Sequence, residues 1–141
     1  MKILVAIDGS DHALRAVNYV IDLVGQLRHV SSVTLISVHD DTGLGHAKGV
    51  VGNREVTDYL RELSEEELRP ALALLHTADV SCDVEIRVGH VTQQIVEFAD
   101  EGVFDLVVMG AKGRGAFADM ILGSVAQRVA AMTKQAVLLV K

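Results

Sequence analysis

The chain has little with which to staple, kink or stack itself. Its 141 residues include one cysteine (Cys82), one proline (Pro70) and no tryptophan, and aromatics make up 4%. A lone thiol excludes an internal disulfide and accords with a reducing compartment. No apolar run approaches the ~18 residues of a membrane span, so membrane insertion is not expected. The opening MKILVAIDGS leads straight into a strand-like segment without a signal-peptide cleavage site, and a soluble, cytoplasmic protein is expected. Positive charge is also scarce: 13 Lys and Arg stand against 19 Asp and Glu, a net charge of −6. That balance disfavours broad nucleic-acid or anionic-membrane binding, though it leaves room for a small anion at a local positive site. The six histidines show no compact zinc spacing, and one cysteine cannot complete a sulfur site. A G-x-S-x-G elbow and a Walker lysine followed by Ser or Thr are both missing, which disfavours a serine hydrolase and an efficient P-loop NTPase.

What is present is aliphatic and periodic. Half of the residues are hydrophobic, mostly Val, Leu, Ile and Ala, enough for one well-buried core in a single domain spanning 1–141. Short apolar runs at residues 3–7, 33–38, 83–88, 106–109 and 136–140 read as strands. Between them lie helical patterns. Ala13, Ala16, Val17, Val20, Ile21 and Val24 mark the first, and Val56, Tyr59, Leu60, Leu63, Leu68, Leu72 and Leu75 a long second one that Pro70 should kink or split. Val91, Ile95, Val96, Phe98 and Ala99 mark a third, and a fourth is expected over 123–132. The glycine-rich stretch 42–52 favours a mobile loop, long enough to serve as a lid. Strict β-α alternation predicts an open parallel five-stranded sheet, helices on both faces, with strand order 3-2-1-4-5 expected from the fold type.

In such sheets ligands bind at the carboxyl ends of the strands where strand order reverses. Asp8-Gly9-Ser10 follows the first strand and Gly110 opens a loop after the fourth, so both would face one crevice. That loop reads Gly110-Ala111-Lys112-Gly113-Arg114-Gly115-Ala116 and continues to Gly123-Ser124-Val125. Glycines let backbone N–H groups approach an anion, and the coming helix adds unpaired N–H groups and a positive dipole end. Ser124 is placed to cap that helix and to donate to a phosphate oxygen, and Lys112 and Arg114 add charge. Asp8 is either a turn former or a catalytic or metal-holding group. Ser10 and Asp11 read as helix caps, Asp40 and Asp41 as solvated loop acids, and Cys82 as structural.

The pattern Gly110-x2-Gly113-x9-Gly123-Ser124 resembles the ATP-binding signature of the universal stress protein family. The resemblance runs the full length, through the MKILVAIDGS opening, Val38-His39, Gly89, DLVVMGAKGRG and LGSVAQRV. It implies a Rossmann-like fold of the adenine nucleotide alpha hydrolase type, binding ATP with Mg²⁺ or Mn²⁺. It also implies roles. Asp8 would sit near the ribose or the metal-bearing phosphates, with Ala6 and Ile7 shaping the adenine side. Val38 would bond adenine through its backbone, and Met109 and Gly110 would line the ribose and phosphate approach. Gly113, Gly123, Ser124 and Val125 would cradle the phosphates. Ala136–Val140 would pair with its twofold mate in a homodimer, a need that an apolar edge strand creates independently. The chain departs from many relatives in lacking prolines before the last strand, in having Ala111 and Lys112 where Ser and His are frequent, and in having His90 where Pro is frequent.

The functional expectation is an ATP-binding, homodimeric regulator in stress response with slow or absent hydrolysis. The alternative is a weak ATPase or nucleotidyl-transfer enzyme in the same crevice, which would need a positioned base that the sequence does not display. A phosphoacceptor receiver domain fails, because the third strand ends Val88-Gly89-His90 without an acceptor aspartate.

Overall fold

The computed structural model describes residues 1–30, 32–115 and 121–141. Five strands, β1 (Lys2–Ile7), β2 (Ser32–His39), β3 (Asp83–Val88), β4 (Leu106–Gly110) and β5 (Ala136–Val140), form one sheet in the order β3-β2-β1-β4-β5. Every pairing is parallel. The helices are α1 (Asp11–Gln26), α2 (Gly45–Val51), α3 (Asn53–Thr77), α4 (Val91–Glu101) and α5 (Ser124–Met132). The order of strands and the layering agree with the sequence expectation.

The central strand shows why. In β1 successive side chains point to opposite faces, and both faces are covered. Ile3, Val5 and Ile7 join Ala13, Ala16, Val17 and Val20 of α1 and Leu68, Ala71 and Leu75 of α3. Leu4 and Ala6 join Ile36, Ile95, Val107, Met109, Ala126 and Val129 on the face covered by α4 and α5. Burying each of these larger aliphatic side chains is worth ~1.5–3 kcal/mol, so a one-residue slip of β1 would forfeit both cores at once. At the end of β1, Gly9 takes φ +76° and the Ser10 hydroxyl caps α1 by accepting from the Ala13 amide at 3.2 Å.

Two segments differ from the sequence expectation. The stretch 42–52 is a 3₁₀ turn at Thr42–Leu44 followed by α2, so its glycines do not make a loop. Gly45 opens the helix, where backbone freedom costs least, and Gly49 is tolerated because α2 lies against α3. An ion pair from Lys48 to Asp41 closes the turn. Pro70 neither splits nor ends α3, which is assigned without a break over 25 residues. Pro70 faces solvent while Leu68, Ala71 and Leu75 are buried, so tertiary packing overrides the missing N–H bond. Among the described residues no helix is long and apolar enough to cross a membrane.

Candidate functional site

The strand order makes β1 and β4 neighbours, with Ala6 beside Met109. Their carboxyl ends, the end of β2 and the start of α5 enclose a cavity of roughly 230 Å³. All twelve residues singled out in the sequence line it: Ala6, Ile7, Asp8, Val38, Met109, Gly110, Lys112, Gly113, Arg114, Gly123, Ser124 and Val125. Ala13, Ile36, Val91, Ile95, Gly115 and Ala126 line it as well and carried no signal beyond that of core or loop positions. Residues 116–120, inside the nine-residue spacer and including Ala116, lie outside the described residues. No described residue of 42–52 lines the cavity, so the structure offers the lid expectation no support.

The lining divides by chemistry. Ala6, Ile36, Ile95, Met109 and Ala126 are core residues of the α4/α5 face, and Val38, Val91 and Val125 lie against them. The sheet end thus offers an apolar slot continuous with the core. The polar wall is Asp8 with the β4–α5 loop. Asp8 Oδ1 accepts from the Ser10 amide at 3.0 Å and from its hydroxyl at 2.6 Å. Its Oδ2 faces Gly113 and would stand 2.8 Å from a Cβ placed there.

The motif glycines have different reasons to be glycine. A Cβ on Gly110 would meet His12 Cβ at 2.7 Å and the His12 carbonyl carbon at 2.8 Å, because the first turn of α1 crosses the end of β4. Gly110 is therefore demanded by packing. Gly123 is not: its φ is −70°, and a Cβ there would make ordinary 3.4 Å contacts with backbone atoms of Ala111, Lys112 and Gly113. Its amide donates to the Ala111 carbonyl at 2.7 Å, fixing the loop against the helix start. Ser124 does not cap α5 as expected. The helix begins at Ser124 itself, Gly123 is the N-cap, and no side chain caps it. The first N–H groups of a helix have no intrahelical partner, and Ser124, Val125 and Ala126 all line the cavity.

The strongest charges at the mouth involve residues that were not foreseen. Arg114 Nε donates to the Asp8 carbonyl at 2.8 Å, and its guanidinium pairs with Glu67 of α3. The other Glu67 oxygen accepts from His39 Nε2 at 3.0 Å. Burial disfavours the imidazolium of His39 and the Arg114 cation repels it. Together they outweigh the pull of Asp8 and hold its pKa below the ordinary 6.5. Glu67 was hidden in the acidic run Glu65-Glu66-Glu67, but it falls on the buried stripe of Leu60, Ser64, Leu68, Ala71 and Leu75. A carboxylate on an apolar stripe at helical spacing was the available signal.

Among the described residues no group of three or more His, Cys, Asp or Glu could cage a metal ion. One oxygen of Asp8 can reach a cation in the cavity. That donor set fits a divalent ion carried mainly by phosphates, as Mg²⁺ commonly is.

Comparison with known proteins gives a family and a fold. The sequence profile of the universal stress protein family matches residues 1–141. A universal stress protein of Methanocaldococcus jannaschii is 31% identical over 99% of this chain and 81% of its own length. Among solved structures, universal stress protein UspA from Lactobacillus plantarum superposes with a TM-score of 0.84. It covers 100% of this chain and 97% of that one at 24% identity, a likeness of fold. A universal stress protein solved in complex with cAMP shares 29% identity and a TM-score of 0.58, covering 99% and 95% of the two chains.

Proposed function

The chain belongs to the universal stress protein family, and from that premise we propose that it binds ATP and acts as a homodimeric, nucleotide-dependent regulator in the cytoplasmic stress response, with hydrolysis slow or absent. The observation that carries this reading is Gly123. Neither backbone conformation nor packing requires a glycine there. Its missing side chain instead keeps the Gly113 amide and the uncapped start of α5 open to the cavity. An apolar slot beside an anion-binding helix start is the pairing that a purine nucleotide needs, and the cAMP complex of a relative supports the nucleotide class.

At roughly 230 Å³ the cavity falls below the ~300–1,000 Å³ usual for small-molecule sites. It suits a base and sugar, with the phosphates laid out over the glycine loop at the mouth. Asp8, Lys112 and Arg114 would sit around them, with Asp8 lending one oxygen to a phosphate-bound Mg²⁺ or Mn²⁺. When bound, the metal would neutralise phosphate charge. Asp8 is the one carboxylate among the described lining residues, so an in-line transfer has a single acid–base candidate and slow turnover is the expected regime. For the dimer, the support is β5: among the described residues it pairs with β4 alone, and Val137, Leu138, Leu139 and Val140 stay partly exposed along the sheet edge.

The test is calorimetric titration with ATP and Mg²⁺ of the wild type and of a Gly113→Val, Gly123→Val double variant, with sedimentation of the same samples. Micromolar binding by a dimer, lost in the variant, supports the reading. A folded wild type that binds no adenine nucleotide refutes it, and a monomer at micromolar concentration refutes the dimer.

A further inference from the structure

We propose that Glu67 is a positioning residue that keeps Arg114 turned onto helix α3, and that it thereby sets how strongly the cavity prefers a polyphosphate chain to a single phosphate. This rests on the nucleotide reading of the same cavity. Arg114 belongs to the glycine loop, yet groups from two other places hold it. Its Nε donates to the Asp8 carbonyl at 2.8 Å, and its guanidinium pairs with Glu67. The Glu67 side chain is only 6% exposed, whereas that of Arg114 is 52% exposed at the mouth. His39 at the end of β2 fixes the carboxylate from its other side at 3.0 Å.

The crossing point is shaped for this pair. Gly9, at φ +76°, lacks the side chain whose Cβ would stand 2.8 Å from Arg114 Nη2 and 3.0 Å from Glu67 Cγ. The β1–α1 turn and α3 thus converge on one guanidinium that is not their own, while β2 holds the carboxylate that receives it. An ordinary cap or loop anchor would not need a buried carboxylate at its far end. The lining also shows where the guanidinium could go, since Arg114 borders the cavity beside Gly113 and Gly115.

Two anions therefore compete for one cation. Glu67 is fixed and buried, and leaving a buried carboxylate unpaired is strongly unfavourable. Arg114 gives it up only for a ligand whose charge outweighs that loss. Coulomb attraction grows with ligand charge, so a triphosphate draws Arg114 across far better than a monophosphate does. The pair acts as a latch whose release depends on phosphate count.

The experiment titrates AMP, ADP, ATP and inorganic tripolyphosphate, with Mg²⁺, into wild type, Glu67→Gln, Arg114→Gln and the double variant. Glu67→Gln keeps the shape and frees the cation, so it should tighten ATP and tripolyphosphate by roughly tenfold, with little change for AMP. Arg114→Gln should weaken ATP by a similar factor, and in its background Glu67→Gln should have little further effect. A structural role for Glu67 would weaken every ligand alike. Uniform weakening, an unchanged ratio of AMP to ATP affinity, or additive effects in the double variant overturns the latch while leaving nucleotide binding standing. If Glu67→Gln does not fold, an unchanged ratio of AMP to ATP affinity in Arg114→Gln overturns it, and a raised ratio supports it. A wild type that binds none of the four probes overturns the nucleotide reading, and the latch with it.

Discussion

Gly110 and Gly123 belong to one motif, yet substituting alanine for each should damage different things. At Gly110 the new methyl would stand 2.7 Å from His12 Cβ, 2.8 Å from the His12 carbonyl carbon and 3.0 Å from the Ala13 amide nitrogen. These atoms lie in the first turn of α1, whose neighbours Ala13, Ala16 and Val17 are locked in the core. Relief requires moving backbone, and overpacking of this kind costs ~1–3 kcal/mol. For a domain of this size each kcal/mol shifts Tm by ~3 °C, so Gly110→Ala should melt roughly 3–9 °C below wild type. At Gly123 the methyl meets only 3.4 Å contacts and the φ of −70° is open to alanine. The gain from a less flexible unfolded chain, ~0.4–1 kcal/mol, offsets a loss of similar size on replacing glycine at an N-cap. Its Tm should stay within ~3 °C of wild type.

Ligand binding should reverse that ranking. The Gly123→Ala methyl would stand 3.4 Å from the Gly113 nitrogen, in the approach to the amides that would receive phosphate. Loss of one charge-assisted hydrogen bond, at ~1.5–3 kcal/mol, weakens ATP by roughly tenfold or more. Differential scanning calorimetry and isothermal titration on both single variants decide the matter. If Gly123→Ala binds ATP as the wild type does, the ligand role of Gly123 is refuted. If Gly110→Ala melts with the wild type, the packing account of Gly110 falls.

Two further outcomes follow from the same structure. Pro70→Ala restores an amide to the exposed face of an unbroken helix and should stabilise the protein by ~1–3 kcal/mol; a lowered urea midpoint would show that Pro70 is needed for the helix path. His39 has a folded pKa below 6.5, chiefly through burial and then through Arg114. Just below pH 6.5 the unfolded chain therefore binds a proton that the folded one does not. Stability should be flat in this residue's contribution above pH 6.5 and should fall as pH drops from there toward the folded pKa. His39→Gln should flatten that part of a urea-midpoint profile, and an unchanged slope would sink the assignment.

What could be read from the sequence was whatever a single local pattern decides. The runs at 3–7 and 136–140 are buried or half-buried strands with turn residues at their ends, and the structure sets them at Lys2–Ile7 and Ala136–Val140. The order 3-2-1-4-5 came from the fold type: alternating strands and helices leave few right-handed ways to wind a parallel sheet, but do not choose among them. That order brings the Asp8 turn and the Gly110 loop, 102 positions apart in number, to adjacent strand ends. Where two influences compete, composition misled. Glycine content at 42–52 pointed to a loop, but contact with α3 outweighs the propensity cost of Gly45 and Gly49. Pro70 pointed to a break, but the apolar stripe on either side holds α3 in register with the sheet.

Arg114 and Glu67 mark the deeper limit. Arg114 could be read as a phosphate-facing charge because the loop around it has a recognisable spacing. Its partner was harder to read: helical spacing sets Glu67 on the apolar stripe, but a glutamate within Glu65-Glu66-Glu67 looks like a solvated helix face until the burial phase of α3 is fixed. Phase is a tertiary property: it depends on Leu68, Ala71 and Leu75 all meeting the same core beside the sheet. Once it is fixed, Glu67 becomes a buried anion that must find a cation, and the cation it pairs with is Arg114 of the glycine loop. The fold therefore links the mouth of the cavity to a helix that lines none of it. In the proposed latch, the residue that tunes the preference for ligand charge lies outside the motif that would announce the ligand.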